Sequence, residues 1–310
     1  MPRIKLLILS ILITITGVAG CGGDDGGGTT APVESTKFTF SLNNFSPLDS
    51  AHYKAWALIG QFGYPLGVFD INPAGQMVDT SGAQVAGNSF SANLPLEDID
   101  GIGVTVEPDD GSTTGPTALF LGGAVSGGST TISVGHGAGL GEDFSGISGK
   151  YILATPTDGT DSDEFSGIWF LDNSSGVAVS GLTLTDISLA GWKYQGWVNV
   201  GGTYISTGTF SSPTARDDSA NYSGSQTAPS FPGEDFLNNA PDGVTFPLDL
   251  RGQTALITME LFPDPAPAAP SPFVLLQANV PPDAADHQTY QFEVVATGSL
   301  PSATVTVTAE

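Results

Sequence analysis

The run Asp158-Gly159-Thr160-Asp161-Ser162-Asp163-Glu164 places four carboxylates in seven residues, and Glu107-Pro108-Asp109-Asp110 and Asp217-Asp218 add further oxygen donors. Hard oxygen ligands at such density suit calcium, whose coordination shell is built from carboxylates and carbonyls. The spacing departs from the EF-hand pattern. Asp158, Asp161, Asp163 and Glu164 are thus the calcium candidates, and the competing expectation is a solvated acidic loop that keeps the chain soluble. No other cofactor is expected. His52, His136 and His287 fall in different segments, without the His-x-x-x-His spacing of a zinc site. Ser and Asp are abundant enough for a nucleophilic triad, which leaves a sandwich hydrolase as the catalytic alternative. No Gly-x-Ser-x-Gly elbow occurs, however, and Gly135-His136-Gly137-Ala138-Gly139 lacks the following Lys-Ser/Thr of a phosphate cradle. The chain is expected to be non-catalytic.

The charge balance narrows the partners. In 310 residues there are 32 acidic and 8 basic side chains, a net charge of -24, and no Lys or Arg lies between Lys54 and Lys150. A basic stripe cannot assemble from such a sequence, which excludes nucleic-acid binding. Residues 1–20 read as a secretory signal: Arg3 and Lys5, an apolar run from Leu6 to Ile15, then Gly17-Val18-Ala19-Gly20 before Cys21. The apolar run is too short for a stable membrane span. Val18-Ala19-Gly20-Cys21 resembles the lipobox of bacterial lipoproteins, and the resemblance implies that Cys21 becomes the first mature residue, carries the lipid, and is the sole membrane anchor. Several acyl chains at about 0.8 kcal/mol per buried methylene hold such a protein on a bilayer. Removal of the signal leaves 6 basic residues against 32 acidic ones and a net charge of -26. Residues 22–36 form a Gly- and Asp-rich tether. By resemblance to Gram-negative lipoprotein sorting, Gly22 after the Cys favours the outer membrane. The expected location is the cell envelope, on the extracytoplasmic side.

The elements that position the candidate residues read as strands. From Lys37 onward short apolar–polar alternations are separated by Gly, Pro, Asn and Asp, and no 3.6 period is sustained. Ile102, Val104 and Val106 alternate with Gly103, Thr105 and Glu107, and Ala303, Val305, Val307 and Ala309 alternate with Thr304, Thr306 and Thr308. Each predicts a strand with one face in the core and one in water.

An internal repeat sets the organisation. Tyr53-Lys54-Ala55-Trp56 precedes Gly67-Val68-Phe69, and Tyr194-Gln195-Gly196-Trp197 precedes Gly208-Thr209-Phe210, with 14 residues from Tyr to Gly in both copies. Val104-Thr105-Val106-Glu107 then matches Ile257-Thr258-Met259-Glu260, and Pro116 to Leu119 matches Pro272 to Leu275. Phe69 to Glu107 spans 38 residues and Phe210 to Glu260 spans 50, so the second copy carries an insertion, residues 211–245, with Tyr222, Phe231 to Phe236 and Asn238-Asn239. The expected division is a first β-sandwich at 37–145 and a second at 146–310. Tyr and Trp three apart on a strand face opposite ways, so one of each pair is expected to anchor the core, and the repeated Gly to mark a bulge.

This pattern resembles the extracytoplasmic C-terminal domain of anti-sigma-K factors, and the second copy, from Gly167-Ile168-Trp169 through Trp197 to Phe210, resembles the duplicated form in lipoproteins labelled anti-sigma-factor-like. The resemblance implies all-β architecture, two tandem Ig-like antiparallel β-sandwich domains, and a sensing or binding role. Members of that family place a sigma-binding helical segment and a transmembrane helix before the domain. Neither is seen in this sequence, so contact with a cytoplasmic sigma factor is not expected. The leading expectation is a non-catalytic, lipid-anchored envelope protein that binds a protein partner or extracellular ligand through the insertion 211–245. The alternative is a calcium-stiffened structural or adhesive surface module.

Overall fold

A computed structural model describes residues 35–109, 119–159 and 162–310. Cys21 with its signal and the tether up to residue 34, Asp110, Pro116 and Asp161 lie outside the described residues, whereas Thr36, expected in the tether, is buried and opens the first strand. The first half contributes β1 (Thr36–Asn43), β2 (Ala51–Ile59), β3 (Phe62–Ile71), β4 (Met77–Val78), β5 (Ser89–Ala92), β6 (Gly101–Pro108), β7 (Leu121–Ala124) and β8 (Ser129–Ser133). Next come β9 (Ser148–Leu153), β10 (Gly167–Trp169), β11 (Leu171–Asp172), β12 (Val179–Ser180), β13 (Leu182–Thr183), β14 (Trp192–Val200), β15 (Thr203–Phe210) and β16 (Gly233–Asp235). The chain ends through β17 (Thr254–Leu261), β18 (Val274–Asn279), β19 (Tyr290–Gln291), β20 (Glu293–Val294), the single turn α1 (Ala296–Ser299) and β21 (Ser302–Ala309). Among the described residues no helix is long and apolar enough to cross a membrane.

The protein is all-β, built from antiparallel sheets that share a core. The largest sheet runs β4-β3-β2-β6-β7-β8-β21-β1-β5, and a second runs β15-β14-β17-β18-β20. Between them β13-β9-β10-β16 forms a third sheet, with β19 on β9, and β11 pairs β12. The strand predicted at 303–309 forms as β21 and keeps its alternation, with Ala303, Val305 and Val307 buried and the threonines exposed. Although it lies in the 146–310 part of the sequence, it hydrogen-bonds in the first sheet, between β1 (Phe38↔Val307, Phe40↔Val305) and β8 (Ala303↔Ile132). The sheet curls so that β5 comes over β3. A Cβ on Gly67 would lie 2.3 Å from the Phe90 ring, so only glycine admits that closure.

The repeat is preserved in register. In β2–β3, Tyr53 pairs Phe69 and Ala55 pairs Gly67, and the pairing then slips so that Trp56 faces Pro65. In β14–β15, Tyr194 pairs Phe210 and Gly196 pairs Gly208, with the same slip to Trp197 and Ser206. The bulge expected near the repeated Gly is therefore present in both copies, with Leu66 or Thr207 as the extra residue. Tyr53 stacks on Phe69 at 5.3 Å, and Tyr194 packs at a tilt against Phe210 at 5.7 Å, on the core side. The last matched segment shifts by one residue: Val104 pairs Leu121 and Ile257 pairs Leu276.

Two expectations are corrected. Both aromatics of each pair are buried, Tyr53 and Trp56 in one copy and Tyr194 and Trp197 in the other, because the outer face of each sheet is covered as well. For the same reason β6 is not half-wet: Leu119 closes over Trp56 and Leu58, and a Cβ on Gly103 would sit 2.5 Å from Leu119. The core is continuous across the two copies. Phe120 lies 4.9 Å from Trp192 and 4.8 Å from Phe273, ring to ring, which joins the first sheet to the second.

Candidate functional site

The duplication extends to side-chain hydrogen bonds. Trp56 Nε1 donates to Thr105 Oγ1 at 3.0 Å, and Thr105 donates to Glu107 Oε1 at 2.9 Å. Trp197 Nε1 likewise donates to Thr258 Oγ1 at 3.0 Å, and Thr258 donates to Glu260 Oε1. Strand alternation places Trp, Thr and Glu on the outer face, with Tyr and Phe on the inner one. Each relay satisfies an indole N–H, a hydroxyl and one carboxylate oxygen that would otherwise be costly to bury.

The two copies differ in what meets the glutamate. Glu107 is half-buried beside Lys54 Nζ at 3.3 Å and His52 Nε2 at 3.9 Å, while His52 Nδ1 reaches Asp109 at 2.8 Å. Lys54 Nζ also sits 4.5 Å above the Trp56 ring. In the second copy Gln195 replaces Lys54 and Lys193 replaces His52, and Lys193 turns away to Asp218 at 2.5 Å and over the Phe262 ring. Glu260 is 3% exposed, and Ser271 N–H donates to its Oε1 and Oε2 at 3.0 and 3.2 Å. Burial pushes its carboxyl up to about 7, with the Asp264 charge adding to the effect. Glu260 and Asp264 line a cleft of about 180 Å³ between the copies, walled by Leu48, Val106, Trp192 and Phe273. Asp264 Oδ2 is buried there without a hydrogen-bond partner, and burial raises this carboxyl as well.

The insertion 211–245 builds a second cavity, of about 440 Å³, lined by Thr157, Trp169, Arg216, Asp217, Gln226 and Phe231 among others. Its β16 places two wholly buried carboxylates, Glu234 and Asp235, under the floor. Asp235 accepts from Trp169 Nε1 at 2.7 Å, from Thr157 N–H at 2.8 Å and from the Thr157 hydroxyl. Glu234 accepts from the Ser223 hydroxyl and from Tyr222 N–H at 3.3 Å. Asp217 accepts from Gly233 N–H at 2.9 Å, and burial lifts its carboxyl to about 7. Burial raises Glu234 and Asp235 too, partly offset by the donors around them. Gly208 makes room for Asp217: its φ is +120° and a Cβ would meet Asp217 Cγ at 2.8 Å. The repeated glycine thus admits Phe90 in the first copy and the insertion in the second.

The predicted calcium candidates are engaged locally. Asp158 accepts from Thr155 and Ser162 at 3.5 and 3.4 Å, and Glu164 accepts from Thr155 N–H at 3.0 Å and lies 3.8 Å from His287 Nε2. Asp163 stands before a short turn in the left-handed region, φ +58°, and its side chain makes no capping hydrogen bond there. Among the described residues, no group of three or more His, Cys, Asp or Glu side chains could hold a metal ion. The histidines remain apart, His136 accepting from Ala138 N–H at 3.1 Å. Sequence reasoning matched Glu260 to Glu107 but missed its burial; the exchange of Lys54 for Gln195 was the available signal. No protein family, curated protein or solved structure matches the chain.

Proposed function

We propose that the chain is a non-catalytic, lipid-anchored binding protein of a bacterial envelope, built on anti-sigma-factor-like, Ig-type sandwiches. Its partner or extracellular ligand is engaged by the insertion 211–245. The observation that carries this reading is the cavity of about 440 Å³ that the insertion walls in, in the stretch from Phe to Glu that spans 50 residues in the second copy and 38 in the first. The insertion is held by buried carboxylates rather than left as a free loop, so it presents a fixed surface, and preorganised surfaces lose less entropy on binding. Variation in loops on a rigid scaffold is where recognition is usually placed.

Two expected results test the two halves of this reading. Metabolic labelling with a fatty-acid analogue is expected to mark the wild-type chain in the membrane fraction, and Cys21→Ser is expected to lose both label and membrane association; a labelled or membrane-bound variant would refute the anchor. Arg216→Ala with Gln226→Ala changes the cavity wall without touching Asp217, Glu234 or Asp235. It is expected to weaken partner capture from envelope extracts at least tenfold while leaving the melting temperature within about 2 °C, since exposed substitutions of this kind cost little. Undiminished capture by this double variant would remove the insertion as the contact surface.

A further inference from the structure

The β2–β3 hairpin of the first copy carries an apolar surface that its counterpart in the second copy lacks. Phe62 is 52% exposed and Tyr64 40%, and strand alternation puts both rings on one face of β3, with exposed Pro65 beside them. The matched positions are Thr203 and Ile205, since Ile59 pairs Phe62 and Ala57 pairs Tyr64 as Val200 pairs Thr203 and Val198 pairs Ile205. Thr203 is polar and Ile205 is buried. No residue from Ala55 to Phe69 is charged, in a chain with 32 acidic and 8 basic side chains. Among the described residues the other exposed large apolar side chains, such as Val177, Leu189 and Phe262, lie outside the first sheet. The pairing puts this hairpin at the rim where the chain enters the fold. β6 starts at Gly101 beside Leu58, so Ile59 to Phe62 reach past it, and Gly60 N–H ties the tip to that start by donating to Asp100 Oδ2 at 2.6 Å. The start of β6 pairs the end of β7, β8 starts opposite Thr306, and β21 ends at Ala309 opposite Thr36. In an antiparallel sheet these ends share one rim. Thr36 opens β1 there, and 14 residues separate it from Cys21, a path of at most about 50 Å.

We propose that this rim rests on the bilayer that holds Cys21, with Phe62 and Tyr64 inserted at the level of the lipid head groups. The inference rests on the lipid anchor of the proposed function. Aromatic rings favour that depth, and an uncharged hairpin tip enters it without stripping water from an ion. Two rings bind a bilayer weakly on their own, but an anchor that keeps them within reach makes the contact intramolecular. The charges around the hairpin select the lipid. Glu97, Asp98 and Asp100, between the end of β5 and the start of β6, and Glu310 after β21 stand exposed around the same rim. They suit the ammonium of phosphatidylethanolamine, whereas an anionic head group would meet like charge. A second copy of the chain is the poorer occupant for the same reason, because it would bring the same four carboxylates to the contact.

Making the attachment chemically separates this contact from the anchor. The chain from Cys21 to Glu310, which contains every described residue, is coupled through its only thiol to a maleimide lipid. The vesicles are of phosphatidylethanolamine and dibrominated phosphatidylcholine, whose bromines quench nearby tryptophan. Phe62→Trp is expected to add blue-shifted emission that the brominated lipid cuts by at least half. Thr203→Trp, at the matched site of the second copy, is expected to keep its emission. The four native tryptophans, none more than 5% exposed, give the wild-type background. Replacing the ethanolamine lipid by phosphatidylglycerol is expected to lower the quenching at least twofold. Should Phe62→Trp fail to melt cooperatively, Tyr64→Trp carries the same comparison. Quenching of Phe62→Trp together with a Cys21→Ser chain that stays membrane-bound in cells would support the contact and refute only the anchor. Unquenched emission from the hairpin, equal quenching of Thr203→Trp, stronger quenching in phosphatidylglycerol, or a blue shift brought by envelope proteins and not by lipid would overturn the proposal and leave the anchor standing.

Discussion

Ending the chain at Pro301 is expected to unfold the first sheet, although every residue of the first copy is retained. The cause is the position of β21, which lies between β1 and β8. It pairs with β1 over eight positions, from Ser302 to Ala309, and with β8 over five. Its removal strips the ladder partners from β1 and frees the β1–β5 pair from the remaining strands. The loss also includes the burial of Ala303, Val305 and Val307, which are at most 2% exposed. Two buried valines contribute about 1.5–3 kcal/mol each, and the orphaned N–H and C=O groups of β1 add to the deficit. The sum is comparable with the whole stability of many domains, about 5–15 kcal/mol. The loss should not stop at the first sheet. Phe120 packs against both Trp192 and Phe273, so the second copy loses the neighbour that fills its inner face. Circular dichroism and limited proteolysis of the truncated chain are expected to show loss of cooperative melting and rapid cleavage near β1. A truncated protein that melts within a few degrees of the full chain would mean that β21 is a dispensable edge rather than a central strand.

What the sequence told about the fold follows from distance along the chain. Tyr53, Trp56, Gly67 and Phe69 recur at one spacing as Tyr194, Trp197, Gly208 and Phe210, and a hairpin with a bulge depends on that spacing alone, so element type, pairing and bulge were all legible. The alternation from Ala303 to Thr308 declared a strand with one wet face. It could not declare the partner, because β1 lies more than 250 residues away and alternation carries no address. The outer-face burial of Trp56 and β6 was hidden for a similar reason, since Leu119, which covers them, lies outside β6 and further along the chain. Candidate site residues divided in the same way. The dense run at 158–164 drew attention through its carboxylate count, yet Asp158 and Glu164 bond to nearby hydroxyl and backbone groups. The carboxylates most altered by their surroundings are Asp217, Glu260 and the buried pair Glu234 and Asp235, which the sequence marked only as oxygen donors, as a repeat position and as part of the insertion. Their environment is made by Thr157, Trp169, Ser223 and Ser271, which no local pattern ties to them.

Those altered carboxylates predict an unusual dependence of stability on pH. Glu260 and Asp217 are both held at about 7 by burial, against ordinary values of 4.5 and 3.8. Between the ordinary and the raised value the folded chain keeps a proton that the unfolded chain has released, so stability falls as pH rises through this window. The contribution is complete below about pH 4 and gone above about pH 7. Glu234, Asp235 and Asp264 are raised by burial and act in the same direction. Asp172 and Asp249, held down by Lys150 and Arg251, act in the opposite direction, and their stabilisation is lost only as pH falls below the ordinary carboxylate range. The melting temperature is therefore expected to peak near pH 4–5 and to fall towards pH 8, where the chain's net charge of -24 also favours expansion. For Glu260 the raised carboxyl corresponds to an effect on the order of 3 kcal/mol, and to less for Asp217, which is not fully buried. At roughly 2–4 °C per kcal/mol for a chain of this size, the fall from pH 5 to pH 8 should reach several degrees. Glu260→Gln and Asp217→Asn, which hold the neutral form at every pH, are expected to flatten the profile between pH 5 and 8 and, combined, to remove most of it. A wild-type melting temperature that rises steadily from pH 5 to 8 would show that these carboxylates are ionised in the folded protein, and that cations or water reach them in the cleft and beneath the insertion.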